Sequence, residues 1–262
     1  MREEPILKEL QGSIHVFSEI IQGNYVYADK TRYIYGLIRK NDQYFLSRPR
    51  RFGKSLLLDT IEEIFLGHRE LFKGLWIDSS DYDWLPHPVI HLDLAPAPIS
   101  SVSKLEMSIS LDLRKIARKE KIQAYGEDPA SILKSLLTDL SDKYNRKVVV
   151  LVDEYDAPIL DSLTNQALAE EIRTFLKRFY ATLKSEAKQI RFVFLTGVSK
   201  FAQTSIFSGA NQFTDISLDP DYSNICGFTH DEFDDLFSNR LPEVLDFLKT
   251  EAVLSKETTI DD

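Results

Sequence analysis

The chain has little cysteine and no long apolar run. Cys226 is the single cysteine among 262 residues, so no intrachain disulfide can form. No uninterrupted apolar segment reaches the roughly 18 residues that a membrane-spanning helix requires. The N-terminal residues 1–5 (Met-Arg-Glu-Glu-Pro) contain no apolar core of the kind that a secretory signal needs. We therefore expect a protein without a membrane partner, in the reducing cytoplasm.

Basic residues are in the minority. Lys and Arg number 32 against 41 Asp and Glu, which gives a net charge of −9. This charge argues against a general nucleic-acid-binding surface, although it is compatible with a local basic patch. Glycine and proline number only 10 each, while 43% of the residues are hydrophobic. That composition excludes disorder and collagen-like repeats and suffices for one sizeable core.

Short apolar segments rich in β-branched and aromatic residues alternate with longer amphipathic segments. The short segments predict strands at 43–47, 89–94, 147–153, 191–196 and 213–218. The longer segments predict helices at 55–66, 103–121, 129–144 and 167–186. Each alternation predicts a right-handed β-α-β crossover. The fold class is therefore α/β, with a parallel sheet flanked by helices on both faces.

A capping box marks the start of a small helical tail. In residues 229–232 (Thr-His-Asp-Glu), the Thr hydroxyl and the Glu carboxylate can satisfy each other's backbone N–H groups. Helices are expected from there to about Phe237 and again over 242–254. We therefore divide the chain into a main domain at 1–228 and a partial helical lid, or the start of a following region, at 229–262.

The strongest chemical signal lies where the first strand meets the first long helix. Residues 48–55 read Arg-Pro-Arg-Arg-Phe-Gly-Lys-Ser. Backbone N–H groups at a helix N-terminus attract phosphate, Lys54 can reach β- and γ-phosphates, and the Ser55 hydroxyl suits Mg²⁺. A phosphate-binding loop has glycine five residues before Gly53, where this chain has Arg48, so another backbone route must form the cradle. Taken alone, Gly-Lys-Ser after a strand is also compatible with an ordinary turn.

A second signal is the apolar segment 148–152, which ends in two adjacent carboxylates. This pattern matches a Walker B strand, in which Asp153 would hold Mg²⁺ and Glu154 would activate water as a general base. Acids also end buried strands simply because the chain meets solvent there. Asp156, two residues further on, is interpreted either as a support for the metal ligands or as an exposed loop acid.

Two further features concern phosphate recognition. The segment 191–196 ends in the hydroxyl of Thr196, which makes that residue a sensor candidate for the γ-phosphate or the attacking water, with a plain β-branched strand end as the alternative. Arg48, Arg50 and Arg51 place three positive charges beside Lys54. Their simplest use is to neutralise a triphosphate. An arginine finger reaching a neighbouring subunit and contact with a nucleic-acid backbone are the alternatives.

Five stretches carry a joint resemblance to a known family. They are residues 27–31, 45–57, 151–156, 192–201 and 216–229. Their combination resembles the predicted AAA-ATPase-like family of bacteria, and together they span most of residues 15–237. The resemblance implies a P-loop NTPase core of the additional-strand (ASCE/AAA-like) type, with Arg-Pro-Arg-Arg-Phe as the family's own form of the loop. It also implies that the segment around Asp29 lies near an adenine.

The resemblance and the motifs together give a set of site residues for ATP and Mg²⁺. The catalytic candidates are Lys54, Glu154 and Thr196, and the metal candidates are Ser55 and Asp153. The nucleotide-binding candidates are Asp29, Arg50, Arg51, Phe52, Gly53, Lys54, Ser55 and Leu56. Family members often continue into a PD-(D/E)XK nuclease-like domain. The 25 residues after Phe237 are too few for such a domain, so nuclease activity is not carried over.

These features support one leading hypothesis and two alternatives. The leading hypothesis is Mg²⁺-dependent ATP binding and hydrolysis that drives a conformational or assembly switch, acting on a homo-oligomer or a protein partner. The first alternative is a nucleotide-gated regulatory module with negligible turnover, which Arg48 in place of glycine favours. A small-molecule kinase is the second alternative, but the sequence contains no separate acceptor-binding motif.

Overall fold

The computed structural model describes residues 8–10, 14–40, 42–95, 100–199 and 213–250. Five strands form one sheet: β1 (Gln43–Ser47), β2 (Val89–Asp93), β3 (Val148–Asp153), β4 (Ile190–Gly197) and β5 (Phe213–Asp215). Their order is β2-β3-β4-β1-β5, and every adjacent pair is parallel. The predicted α/β class with a parallel sheet is confirmed. Because β4 is inserted between β1 and β3, the carboxyl ends of these three strands meet at one edge.

The described helices surround this sheet. They are α1 (Phe17–Gln22), α2 (Thr31–Ile38), α3 (Lys54–Phe65), α4 (Val102–Lys119), α5 (Pro129–Tyr144), α6 (Ala157–Leu160), α7 (Gln166–Ser185), α8 (His230–Phe237) and α9 (Leu241–Thr250). Short 3₁₀ helices lie at Arg69–Phe72, Trp76–Ser79 and Pro220–Tyr222. In the described part of the chain, no helix is both long and apolar enough to cross a membrane.

Side chains of β3 alternate between two hydrophobic clusters, as the two-residue period of a strand requires. Val148, Val150 and Val152 pack with α4, α5 and α7 on one face. Val149 and Leu151 pack with α1, α2 and α3 on the other. All six residues of β3 are buried, which explains why residues 148–152 form a continuous apolar run rather than an alternating one.

The predicted bounds of the four long helices and of the first four strands agree with the structure to within two residues. The fifth strand is shorter than predicted because the chain turns after Asp215. The Asp215 Oδ1 atom accepts a hydrogen bond from Ser217 N at 2.8 Å, and Leu218 is 82% exposed. The predicted helix at 242–254 begins at Leu241, and its residues beyond Thr250 lie outside the described part of the chain.

Candidate functional site

The loop between β1 and α3 takes its shape from two residues in the left-handed region. Arg51 has φ of 65° and Gly53 has φ of 86°, whereas Arg48 does not have a positive φ. Gly53 is the N-cap of α3, and a Cβ added there would meet nothing within 4 Å. Conformation rather than space therefore requires glycine at this position. The loop backbone therefore turns at residues 51 and 53 and needs no glycine at position 48.

Arg48 ties the loop to the segment that follows β5. Its guanidinium donates hydrogen bonds to the carbonyls of Ser217 at 2.6 Å, of Ser47 at 3.0 Å and of Tyr222 at 3.5 Å. The guanidinium therefore has a structural role, and its use in neutralising a triphosphate stays a prediction. Arg50 and Arg51 lie exposed on the same loop.

Lys54 extends from the start of α3 toward the end of β3. The residue is only 4% exposed, and its Nζ lies 3.3 Å from the Pro49 carbonyl oxygen. The same Nζ lies 3.4 Å from Glu154 Oε1. The structure therefore brings the loop lysine and the predicted general base together, although 100 positions separate them in the sequence (154 − 54).

The Asp153 carboxylate is the point where the loop, β3 and β4 converge. Ser55 Oγ donates to Asp153 Oδ2 at 2.5 Å, and the Thr196 hydroxyl donates to Asp153 Oδ1. The backbone N–H of Glu154 also donates to Oδ1, at 2.9 Å. Asp153 is 4% exposed and Thr196 is fully buried. Five of the predicted site residues, including Lys54, thus lie in one constellation.

The oxygens of Ser55 and Asp153 suit a Mg²⁺ ion. Mg²⁺ prefers hard oxygen ligands, and proteins usually hold it with one or two carboxylates plus substrate phosphates and water. Across the described residues, no group of three or more His, Cys, Asp or Glu side chains could hold a metal by itself. The Ser55 hydroxyl and the Asp153 carboxylate, which are hydrogen-bonded to each other, could therefore supply two oxygen ligands to an ion whose remaining ligands come from outside the chain.

Glu154 has an uncommon backbone conformation. Its φ is 50°, in the left-handed region that costs a residue with a side chain about 1–3 kcal/mol. Its N–H donates to Asp153, and its carbonyl accepts a hydrogen bond from Ala157 N at 3.0 Å. The surrounding turn therefore holds Glu154 in place, while 20% of its side chain stays exposed.

Asp156 is fully buried, so the interpretation of this residue as an exposed loop acid is wrong. Its carboxylate accepts hydrogen bonds from Ser199 N at 2.7 Å and from Val198 N at 3.2 Å. Burial raises the pKa of this carboxyl, while the two backbone N–H groups oppose the shift. Asp156 thus joins the turn after β3 to the segment after β4. The sequence indicated an acid near the site, but it did not indicate that this acid is buried.

Gly197 lies at the contact between these two segments. An ideal Cβ at Gly197 would lie 2.5 Å from Asp156 Oδ1 and against the Tyr155 ring. We expect Gly197→Ala to lower the free energy of unfolding by about 1–3 kcal/mol, because both neighbours are buried and must move. Urea denaturation measures this change.

Gly36→Ala is the matched control for that experiment. Gly36 lies within α2, and a Cβ there would meet the Tyr222 hydroxyl at an ordinary 3.5 Å. Alanine in a helix interior is favoured over glycine by about 1 kcal/mol, so this variant should be as stable as the wild type or more so. Equal stability of Gly197→Ala and wild type would contradict the close packing.

A mainly apolar cavity of about 200 Å³ lies beside the loop. Its lining residues are Val26, Tyr27, Ala28, Lys30, Arg51, Phe52, Gly53, Leu56, Leu57, Thr60, Ile225, Cys226, Gly227 and Phe228. Phe52 and Phe228 are 44% and 58% exposed, so aromatic surface is available at its mouth. Burial raises the pKa of Cys226 to about 11. The thiol is therefore neutral at pH 7 and forms part of the apolar lining of the cavity.

Asp29 organises the chain beside this cavity. Its Oδ1 accepts hydrogen bonds from Thr31 N at 2.9 Å and from the Thr31 hydroxyl at 2.6 Å. Its Oδ2 accepts a hydrogen bond from Trp76 N at 2.6 Å. Both carboxylate oxygens are therefore engaged with the chain itself. A contact between Asp29 and a nucleotide stays a prediction.

An ion pair that the sequence patterns did not predict lies next to the cavity. Lys30 is 7% exposed, and its Nζ lies 2.6 Å from both carboxylate oxygens of Glu232 in α8. Glu232 also accepts a hydrogen bond from Thr229 N at 2.8 Å, so the predicted capping box is confirmed. Although partial burial opposes the shift, the bonds from Lys30 and Thr229 hold the pKa of Glu232 below its ordinary value. The 202 positions between the pair explain why local patterns did not indicate it.

Comparison with known proteins gives a family. The family model described as Predicted AAA-ATPase matches residues 12–207. An uncharacterized protein in the vnfD 5′ region of Azotobacter chroococcum mcd 1 is 40% identical over 237 residues, or 90% of this chain. The chain spans 46% of the length of that relative. No solved structure gives a significant match. Since the family model covers well over half of the sequence and indicates nucleotide binding, this chain belongs to the predicted AAA-ATPase family.

Proposed function

We propose that this protein binds ATP with Mg²⁺ at the loop 48–55 and hydrolyses it, and that hydrolysis drives a conformational or assembly switch. The main support for this proposal is one observation. The Asp153 carboxylate accepts hydrogen bonds from both Ser55 and Thr196, so the phosphate loop, the Walker B strand and the neighbouring strand meet at one carboxylate. In P-loop NTPases, a serine or threonine of the loop and a Walker B aspartate hold the Mg²⁺ ion of the bound triphosphate, and Ser55 and Asp153 are residues of these types.

The strand order supports a P-loop NTPase of the additional-strand type. In that type an extra strand separates the strand before the phosphate loop from the Walker B strand. Here β4 lies between β1 and β3, and it pairs in parallel with both. Thr196 lies near the carboxyl end of that inserted strand, which is the position where we infer the sensor residue.

The phosphates would bind at the N-terminus of α3. The first backbone N–H groups of a helix have no partner within the helix, and together with the helix dipole they favour anions. The exposed Arg50 and Arg51 add positive charge. The base would enter the adjoining cavity, where Phe52 and Phe228 offer aromatic faces. Stacking on such faces stabilises a nucleobase by about 1–3 kcal/mol. The two halves of the nucleotide thus have adjacent, chemically matched surfaces.

Ser55 and Asp153 would hold Mg²⁺ through their oxygen atoms. When bound, Mg²⁺ neutralises negative charge that develops on the phosphates. The hydrogen bond from the Thr196 hydroxyl orients the Asp153 carboxylate, and the N–H of Glu154 donates to the same oxygen. The protein therefore fixes its metal ligands before the substrate arrives, which reduces the reorganisation needed during the reaction.

Glu154 would accept a proton from the attacking water. Its Oε1 lies 3.4 Å from Lys54 Nζ, so the two side chains attract each other without nucleotide. A triphosphate carries more negative charge than one carboxylate and competes for the same ammonium. Nucleotide binding is therefore expected to release Glu154 toward water, while its backbone stays held by Asp153.

The Lys54–Glu154 contact also favours a second candidate function. If the pair persists when ATP binds, Glu154 is not free to act as a base, and the protein is a nucleotide-gated regulatory or interaction module. The ion pair between Lys30 and Glu232 would then link occupancy of the cavity to α8. In both cases we propose a main domain at 1–228 and, at 229–262, a partial helical lid or the start of a following region. A homo-oligomer or another protein is proposed as the partner that the switch acts on.

Phosphate release with ATP, in the presence of Mg²⁺ and of excess EDTA, tests the proposed function. We expect release with Mg²⁺ and its loss with EDTA. Ser55→Ala removes one metal ligand and should reduce release by about 10- to 100-fold. Ser103→Ala, at an exposed serine of α4, is the matched control and should leave release unchanged. Release that persists in EDTA would contradict the metal assignment, and ATP binding without release in Mg²⁺ would favour the regulatory module.

A further inference from the structure

A buried carboxylate joins the two strand ends of the site. Asp156 is fully buried, three residues after Asp153, and it accepts hydrogen bonds from Val198 N and Ser199 N beyond the end of β4. These bonds cross between segments that are 42 and 43 positions apart in the sequence. Burying a carboxylate is costly unless hydrogen bonds compensate, and here two backbone N–H groups do so.

Tyr155 reinforces the same connection. Its backbone N–H donates to the Thr196 carbonyl at 3.0 Å, and its hydroxyl donates to the Ser199 carbonyl at 2.7 Å. Gly197 lies against both side chains, with no room for a Cβ. We call Tyr155 and Asp156, together with residues 197–199, the clasp.

The clasp lies next to both groups that the proposed hydrolysis requires. Glu154 immediately precedes Tyr155 and holds a left-handed φ of 50°, which persists only where the surroundings impose it. Thr196 immediately precedes Gly197 on the other side of the clasp. Its hydroxyl and its carbonyl make hydrogen bonds to Asp153 and to Tyr155 N respectively. A shift of either segment would therefore change the position of Glu154 relative to Asp153.

We propose that Asp156 is a positioning residue, which acts through Glu154 and Thr196 by fixing the turn after β3 to the segment after β4. This inference rests on the proposed function, because it concerns the rate of the same hydrolysis. Asp156 itself bonds to backbone groups and is absent from the cavity lining. Its loss should therefore affect turnover more than nucleotide affinity, since a misplacement of about 1 Å can reduce a rate by about 10²-fold.

The test compares Asp156→Ala, Asp156→Asn and wild type by ATP titration and by phosphate release per binding-competent site. Asp156→Ala removes the acceptor for both N–H groups, and we expect kcat to fall at least about tenfold with Kd within twofold of wild type. Asp156→Asn keeps an oxygen acceptor and should recover most of that loss. Asp161→Ala, at an exposed carboxylate of the same segment, is the control and should match wild type.

These readouts separate positioning from a general loss of structure. A merely structural role would lower the fraction of binding-competent protein and leave kcat per competent site unchanged, which would overturn the inference. If Asp156→Ala does not fold, Tyr155→Phe removes one hydroxyl from the clasp and should still lower kcat at constant Kd. An unchanged kcat in that variant would also overturn the inference. Absence of release by wild type would overturn the proposed function, and the inference with it.

Discussion

Replacing Glu154 with Gln is expected to reduce phosphate release by about 10²- to 10⁴-fold while ATP still binds. Gln has nearly the same shape but cannot accept a proton from water. The backbone N–H of residue 154 can still donate to Asp153, so the turn should keep its conformation. Single-turnover phosphate release and calorimetric titration with ATP measure the two quantities on one preparation.

The Glu154→Gln variant also tests the alternative to hydrolysis. The variant loses the charge that faces Lys54, so ATP affinity should be unchanged or higher. Glu127→Gln, at an exposed glutamate before α5, is the matched control and should behave as wild type. Equal release by Glu154→Gln and wild type would contradict the role of Glu154 as base and would favour the regulatory module.

Replacing Lys54 with Ala is expected to weaken ATP binding by about 1.5–3 kcal/mol, or roughly 10- to 150-fold in Kd. A phosphate oxygen bound by the ammonium would lose a charge-assisted hydrogen bond. Among the described residues, the Lys54 ammonium pairs with one carboxylate, that of Glu154 at 3.4 Å, so a bound triphosphate would compete with a single acid for it. Calorimetric titration with ATP in Mg²⁺ measures the change.

Lys104→Ala is the matched control for this prediction, because Lys104 lies exposed in α4. Urea denaturation of both variants separates lost affinity from lost stability. The Lys54 variant leaves Glu154 without its cation, so a modest fall in stability is also expected. An unchanged Kd for Lys54→Ala would show that the loop is not the phosphate site.

Local patterns were sufficient for most of the fold. The apolar run at 148–152 predicted a strand, and the structure buries these residues on both faces of the sheet, which explains why the run has no polar position. The bounds of α5 were predicted correctly from the spacing of its apolar residues. In the structure Asp128 caps the N-terminus and Asn145 ends the helix in a left-handed conformation. Such signals lie within a few residues of the element that they define.

The contacts that define the site could not be predicted in the same way. The clamp formed by Arg48 depends on Ser217 and Tyr222, about 170 positions away. The burial of Asp156 depends on the position of residues 198 and 199, which only the sheet order sets. The order of residue types therefore indicated which groups meet at Asp153. It did not indicate that the side chains of Arg48 and Asp156 form hydrogen bonds with backbone groups.

The missing glycine of the loop has a physical explanation in the structure. The left-handed turn is made at Arg51 and Gly53, and residue 48 needs no positive φ. Arg48 instead holds the segment after β5 by donating hydrogen bonds to two of its backbone carbonyls, those of Ser217 and Tyr222. Replacing Arg48 should therefore disturb the loop and also residues 225–228 of the cavity lining, because these residues come directly after the segment that Arg48 holds.

Calorimetric titration of the wild-type chain with ATP in the presence of Mg²⁺ tests whether the loop 48–55 and its neighbouring cavity bind a nucleotide. We expect saturable binding of one nucleotide per chain, weakened by Lys54→Ala and retained in Glu154→Gln. Absence of saturation at millimolar ATP, in a preparation that denaturation shows to be folded, would contradict the assignment of the loop 48–55 and its neighbouring cavity as a nucleotide site.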